Sequence, residues 1–86
     1  MALTREYKIS FASVIMQWCI ANTDDNIHLA ISCIYLPNSN VIFVTIKQYG
    51  EPIKNADFEV DLNNLTEARV HEIMKHTEDL LNSIRK

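Results

Sequence analysis

Glycine is almost missing from this sequence: Gly50 is the only one among 86 residues, and proline occurs only as Pro37 and Pro52. Tight turns with a left-handed backbone rely mainly on glycine, and proline interrupts both helices and strands. A chain with so few of these residues has few special turns available. We therefore expect most of the sequence to form regular helices and strands.

A chain of 86 residues has room for one small hydrophobic core, so we predict a single domain over residues 1–86. Hydrophobic residues make up 48% of the chain and its net charge is −3, a composition typical of folded rather than disordered proteins. A core of this size is marginally stable and is often supported by disulfides, a bound metal or self-association.

The two cysteines, Cys19 and Cys33, lie inside apolar segments. Neither has a CxxC partner or a histidine at the spacing of a metal site. Free cysteine is among the residue types most often buried. We therefore predict two small core residues that stay reduced, which favours a cytoplasmic location.

An apolar run over residues 11–21 follows Arg5 and Lys8, an order that loosely resembles a signal peptide. Glu6 interrupts the basic part, and the apolar residues are spaced as one face of a helix. The run is also shorter than the roughly 20 residues that span a bilayer. We therefore expect a cytoplasmic protein that does not enter the membrane.

Residues 10–22 fit a helix best, with Ser10 as the predicted N-cap. Apolar residues recur at the spacing of one helix face, namely Phe11, Val14, Ile15 and Trp18. The polar face is narrow, so this helix should be buried on more than one side. Because several of its residues are β-branched, a strand is the alternative.

Three segments show the alternation of strands. Residues 27–36 and 41–49 flank a Pro-Asn-Ser-Asn turn and predict a hairpin. Residues 56–62 alternate most regularly, with Phe58, Val60 and Leu62 on one face. The strand over residues 41–49 is apolar on both faces at its start, which is typical of a central strand or of a face covered by another chain.

A second helix is predicted after Asn64, which would be its N-cap, with Glu67 completing a capping box. Its apolar stripe consists of Val70, Ile73, Met74, Thr77, Leu80, Leu81 and Ile84. The predicted order is α-β-β-β-α. The expected fold is α+β, a three-stranded antiparallel meander flanked by an N-terminal and a C-terminal helix, both on one sheet face.

This α-β-β-β-α order resembles the double-stranded RNA-binding domain in its topology. In that family the last helix begins with a lysine-rich segment, whereas residues 64–69 here contain one basic residue, and residues 37–40 contain none. The binding residues of the family therefore do not carry over. Nucleic-acid binding is the alternative function, and its candidate contacts are Lys47, Lys54, Arg69 and Lys75.

No established catalytic or metal-binding motif occurs in the sequence. The segment from His71 to His76 is close to HExxH, but these two histidines diverge by about 140° around a helix and cannot hold one metal together. With one glycine, a backbone cradle for phosphate is also difficult to build. We expect a protein that is not an enzyme and has no cofactor, although a metal-dependent hydrolase that uses these histidines or His28 is a third hypothesis.

Two surplus features favour a protein partner. The third strand places three carboxylates on one face at about 7 Å intervals, which is typical of a solvated face and also suits a basic partner. The apolar residues exceed what one small core needs, and such a surplus commonly marks an interface. The candidate partner-binding residues are Met16, Trp18, Ile20, Tyr35, Tyr49, Asp57, Glu59 and Asp61.

The functional hypothesis that follows is a small acidic protein-binding module that inhibits a larger protein or serves as its adaptor. Phages and mobile elements often encode small domains of this kind. Surplus apolar surface is equally typical of a homodimer. A nucleic-acid partner is disfavoured, because eight basic residues face eleven acidic ones.

Overall fold

The computed structural model describes residues 3–85. Along the chain lie helix α1 (Arg5–Asn22), strands β1 (Leu29–Leu36), β2 (Val41–Gln48), β3 (Glu51–Pro52) and β4 (Phe58–Asp61), and helix α2 (Glu67–Ile84). The α+β fold class and the element order are confirmed. The predicted third strand is β4, and β3 is an additional short strand.

The four strands form one antiparallel sheet with β2 at its centre. On one side of β2, β1 pairs along its whole length, from Leu29 opposite Gln48 to Leu36 opposite Val41. On the other side, β4 pairs with the first half of β2 and β3 pairs with its end. The segment between β3 and β4 leaves the sheet, so this second edge is interrupted.

Helix α1 begins earlier than predicted, because Thr4 rather than Ser10 is its N-cap. The Thr4 hydroxyl accepts a hydrogen bond from the Tyr7 N–H at 3.1 Å. No helix-breaking residue lies between Thr4 and Ser10, so the helix extends back to the first side chain that can cap it. The strand alternative for residues 10–22 is wrong.

Strand β1 begins at Leu29, two residues later than predicted. The Asp24 carboxylate accepts from the Asn26 N–H at 2.9 Å and caps a short 3-10 turn over Asp25–Ile27. The next residue, His28, adopts a left-handed backbone with φ 53°. The chain therefore turns once more before it enters the sheet.

Helix α2 is capped by Thr66 and not by Asn64 as predicted. The Thr66 hydroxyl accepts from the Arg69 N–H at 3.1 Å. Asn64 instead donates its side-chain amide to Asp61 Oδ2 at 2.8 Å. Both residues have N-capping chemistry, and the contact with β4 engages the first of them before the helix starts.

Both helices pack on the same face of the sheet, here called the inner face. Helix α1 contributes Phe11, Ile15 and Cys19, and α2 contributes Val70, Ile73 and Thr77. The inner face contributes the buried strand residues Leu29, Ile31, Ile42, Val44, Ile46 and Val60. This is one continuous core. Among residues 3–85, no helix is long and apolar enough to cross a membrane.

Candidate protein-binding surface

A groove with a volume of about 690 Å³ lies between α1 and one corner of the inner face. One wall is the flank of α1 that contains Ile9, Ala12 and Met16, and the floor includes Tyr35 of β1 and Ile42 of β2. A volume of several hundred Å³ is typical of a binding cleft. The groove is therefore large enough to receive side chains of another molecule.

The groove exists because α1 is apolar on more than one side. Phe11, Ile15 and Cys19 face the core. Ile9, Met16 and Ile20 form a second stripe along the helix and are 56%, 55% and 74% exposed. Met16 and Ile20 are the two predicted partner-binding residues that lie on this second stripe. Exposed apolar residues at this spacing are typical of a helix that packs against a partner.

Basic side chains lie at one part of the groove, where Arg5 and Lys8 contribute to its lining. Asp61 lies near Lys8, and its carboxyl pKa is held below the usual value, mainly by the hydrogen bond from Asn64 and with a smaller contribution from Lys8. The adjacent hairpin is ordered by Tyr35, whose Oη donates to Asn40 Oδ1 at 2.7 Å. The groove thus combines apolar walls with positive charge.

Cys33 lies in the floor of the groove, and both cysteines are free thiols. Burial, followed by the proximity of Cys33, raises the pKa of the Cys19 thiol to about 12. A thiol with such a pKa is almost entirely protonated at neutral pH, so Cys19 is a poor nucleophile. Its placement in the core agrees with the prediction of a small buried residue, whereas Cys33 is half-buried.

The outer face of the sheet carries a second exposed apolar surface. Ile34 pairs across the strands with Phe43, and Leu36 pairs with Val41. Ile34, Leu36 and Phe43 are all exposed. Glu59 of β4 lies opposite Phe43 and places a negative charge beside this surface. The second apolar face that the sequence shows in β2 therefore remains uncovered within residues 3–85.

Of the aromatic residues predicted to anchor a partner, only Tyr35 lines the groove. Trp18 lies on the core side of α1, half-buried and edge-on to Phe58, with ring centroids 6.1 Å apart. Tyr49 lies in the turn between β2 and β3, with its ring centroid 4.7 Å from that of His28. The structure thus brings Tyr35 together with Met16 but places Trp18 and Tyr49 elsewhere.

The three predicted acidic residues do not form one free row. Asp57 Oδ1 accepts from the Ile46 N–H at 2.8 Å, and Asp61 accepts from Asn63 and Asn64 at 3.1 Å and 2.8 Å. Glu59 is exposed. Two of the three carboxylates thus hold the fold together locally.

The histidines of α2 are separated as the helix geometry predicted. His71 is exposed, whereas His76 Nε2 lies 2.8 Å from the Ala56 carbonyl oxygen and its ring is edge-on to Phe58. Glu72 pairs with Arg69 at 3.2 Å. No cluster of three or more His, Cys, Asp or Glu that could hold a metal ion occurs in the described part of the chain.

The basic residues considered for nucleic-acid contact are partly engaged with acidic neighbours. Arg69 contacts Glu72, and Lys75 Nζ lies 3.3 Å from Asp79 Oδ2. Lys47 is exposed on the outer face, beside Ala30. Two of the four candidate contacts, Arg69 and Lys75, are thus paired with acidic neighbours on α2.

Sequence reasoning missed several residues of the groove, including Arg5, Lys8 and Ile9. They lie in the turns of α1 that precede the predicted N-cap. One signal could have found Ile9: it stands 7 residues before Met16 and 11 before Ile20, which is one face of a helix.

Comparison of the chain with protein-family models, with curated proteins and with solved structures found no match. The geometry of the groove and of the exposed strand surfaces therefore carries the functional argument.

Proposed function

We propose that this protein is a small non-enzymatic binding module that inhibits a larger protein or serves as its adaptor. The observation that carries the proposal is the groove of about 690 Å³ beside α1, bordered by the exposed apolar residues Ile9, Met16 and Tyr35. Soluble domains rarely leave such surface open without a partner. The proposed occupant is an apolar helical segment of that partner.

The shape and charge of the groove define the segment it would take. A helix presents apolar side chains at intervals of three and four residues, and these can enter a groove bounded by a second helix and a sheet. Arg5 and Lys8 favour acidic residues at one end of the segment, because opposite charges steer association and set orientation. An amphipathic helix with an acidic end satisfies both requirements.

We also propose that the protein acts in a reducing compartment, the cytoplasm. The two free thiols of Cys19 and Cys33 support this location, since unpaired cysteines are normal in reduced proteins. No catalytic role is proposed for either thiol. The high pKa of Cys19, raised to about 12, is that of a buried structural cysteine.

The test is affinity capture from a lysate of the source cells with three tagged proteins: wild type, Met16→Glu and Gln17→Glu. Both variants add one negative charge at neighbouring exposed positions of α1, but only Met16 lines the groove. We expect mass spectrometry to find a protein that wild type and Gln17→Glu retain in near-equal amounts and that Met16→Glu loses. The segment of that protein responsible should be acidic and amphipathic.

Two results would contradict the proposal. Equal recovery with both variants would show that the groove is not the binding surface. Recovery that disappears after nuclease treatment and falls with Lys47→Ala would instead support the nucleic-acid alternative. Circular dichroism of each variant shows whether the fold is kept, so loss of binding is not confused with unfolding.

A further inference from the structure

Strand β1 forms an edge of the sheet, and its odd-numbered residues direct their backbone N–H and C=O groups away from β2. The His28 carbonyl accepts a hydrogen bond from the Tyr49 N–H at 3.0 Å, so the pair formed by residues 28 and 49 is hydrogen-bonded. Hydrogen-bonded pairs alternate with non-hydrogen-bonded pairs in an antiparallel ladder, and the even-numbered residues of β1 are therefore the ones that bond to β2. The odd-numbered residues therefore face outward.

The first half of this edge is already covered by the chain itself. Leu29 exchanges two backbone hydrogen bonds with Asp24, at 3.0 Å and 2.9 Å. The Ile31 N–H donates to the Thr23 hydroxyl at 3.3 Å. For Cys33 and Tyr35, no partner of the outward backbone groups is found among residues 3–85. The open edge is therefore short and has a defined position.

The two edges of the sheet differ in how they are protected. The opposite edge is broken between β3 and β4 and contains Pro52 together with Glu51 and Glu59. Proline, charge and short strands are the usual devices that prevent edge-to-edge pairing. β1 is eight residues long and contains no charged residue and no proline. Its open half is thus suited to pairing with another strand.

We propose that the strand that pairs there is β1 of a second copy of this protein, in antiparallel orientation about a two-fold axis. In this arrangement Cys33 of each copy pairs with Tyr35 of the other copy. The two pairs satisfy the outward N–H and C=O groups of both residues in both copies. The axis then passes beside Ile34, which faces its own equivalent. Thr23 and Asp24 of each copy limit the register, because they occupy the positions next along the edge.

A second copy fits this edge better than a different partner because the surroundings are self-complementary. Ile34, which is exposed, meets its equivalent, and Leu36 lies opposite Ser32 of the second copy, so the pairing brings no like charges together. In this register the turn at Asp24 and Asp25 approaches the hairpin end of the other copy, and Asp24 keeps its contact with Arg85 of its own chain at 3.9 Å. Because residues 37–40 of that hairpin are uncharged, the turn meets no like charge there.

Backbone pairing alone is too small an interface, since stable complexes bury about 1,200–2,000 Å² in total. The additional area comes from the apolar surfaces on both sides of the strand. Ile34 and Leu36 lie on the outer face, and the α1 stripe with Met16 lies on the inner side. Pairing also joins the grooves of the two copies into one trough bounded by both α1 helices.

The first test compares Ile34→Glu with Ala30→Glu by sedimentation equilibrium over a range of concentrations. Both substitutions place one glutamate on the outer face of β1, but residue 30 lies in the half of the strand whose edge Thr23 and Asp24 cover. We expect wild type and Ala30→Glu to sediment at twice the chain mass. Two glutamates facing each other should raise the dissociation constant of Ile34→Glu by about tenfold or more.

The second test uses the symmetry, in a Cys33→Ser background that removes the native thiol beside the axis. A cysteine at position 34 would face its equivalent in a non-hydrogen-bonded pair, where Cα atoms are about 4.5 Å apart. Ile34→Cys should therefore form a disulfide-linked dimer on mild oxidation by oxidised glutathione, and Ala30→Cys should not. The disulfide forms by thiol exchange, and the glutathione is reduced.

Three results would overturn the inference. These are a wild type that stays monomeric at all concentrations, a dimer that Ile34→Glu leaves intact, and equal cross-linking at positions 30 and 34. If a strand of a different protein pairs with this edge, the wild type should stay monomeric. It should then capture that protein from a lysate, and Ile34→Glu should abolish the capture. The two proposals can fail separately, because sedimentation of the purified protein tests the edge, whereas retention of a different protein from the lysate tests the groove.

Discussion

The backbone N–H of Ile46 donates to Oδ1 of Asp57 at 2.8 Å. Ile46 is fully buried and lies in the central strand β2, at the point where neither β3 nor β4 pairs with it. A side-chain carboxylate thus occupies the place of a backbone carbonyl in the ladder. Because Asp57 accepts this hydrogen bond, the sheet edge can be interrupted between β3 and β4 while the buried Ile46 N–H keeps an acceptor.

Removal of the Asp57 carboxylate should therefore destabilise the fold. Asp57→Ala leaves the Ile46 N–H without an acceptor, and we expect a loss of about 1–3 kcal/mol. Asp57→Asn keeps an acceptor oxygen and should lose less. Urea denaturation followed by circular dichroism measures both. Equal stability of Asp57→Ala and wild type would show that water replaces the carboxylate without cost.

The two stripes of α1 should respond differently to truncation. Ile15 is 1% exposed, so Ile15→Ala should lower the free energy of unfolding by about 2–5 kcal/mol. Met16 is 55% exposed, and Met16→Ala should change it by about 0.5 kcal/mol or less. Chemical denaturation of both variants at the same low protein concentration provides the comparison. Similar losses in both variants would mean that the groove side of α1 is part of the core.

The single glycine should be needed for its backbone conformation alone. Tyr49 and Gly50, with φ 54° and 77°, form the two-residue turn between β2 and β3. A Cβ at Gly50 would meet nothing within 4 Å, so a substitution there is not excluded by space. Gly50→Ala should cost about 1–2 kcal/mol from backbone strain, and Gly50→Asn should cost less because asparagine tolerates this region. Thermal and urea unfolding test the expected order of stability, in which wild type is the most stable, Gly50→Asn is intermediate and Gly50→Ala is the least stable.

Asp61 should contribute to the pH dependence of stability. Its pKa in the folded protein is lowered from the usual 3.8, mainly by the hydrogen bond from Asn64. The contribution is therefore fully present above the unfolded pKa and is lost as the pH falls through the lower folded pKa. Asp61→Asn should flatten the fall in stability on acidification below pH 3.8. The free energy of unfolding is measured against pH for both proteins. If the two curves fall in parallel on acidification, carboxyl groups other than Asp61 cause the loss of stability.

The two cysteines should differ in their reaction with iodoacetamide. Cys19 is 3% exposed and its pKa is raised to about 12, whereas Cys33 is half-buried in the groove. In the native protein, mass spectrometry should find Cys33 alkylated first and Cys19 protected. In urea the two rates should converge. Rapid native modification of Cys19 would indicate that α1 opens locally from the sheet.

Much of the architecture was predictable from local patterns. The period of two in β1, β2 and β4 and the apolar stripe of α2 define the element order, because each pattern matches the repeat of its own backbone. The element ends were less predictable. Thr4, Thr66 and the turn before Leu29 replaced the predicted boundaries, since several polar side chains nearby can cap a helix and only the packing selects among them.

The sequence by itself determined the α+β class and the surplus of apolar residues, because both follow from composition and spacing along the chain. Only the tertiary structure decided where that surplus lies. It placed Met16 and Tyr35 in one groove, directed Trp18 towards Phe58, and left the outward backbone groups of Cys33 and Tyr35 open at the edge of β1. The physical reason is that exposure and strand pairing depend on contacts between residues far apart in the chain, which a local pattern does not encode.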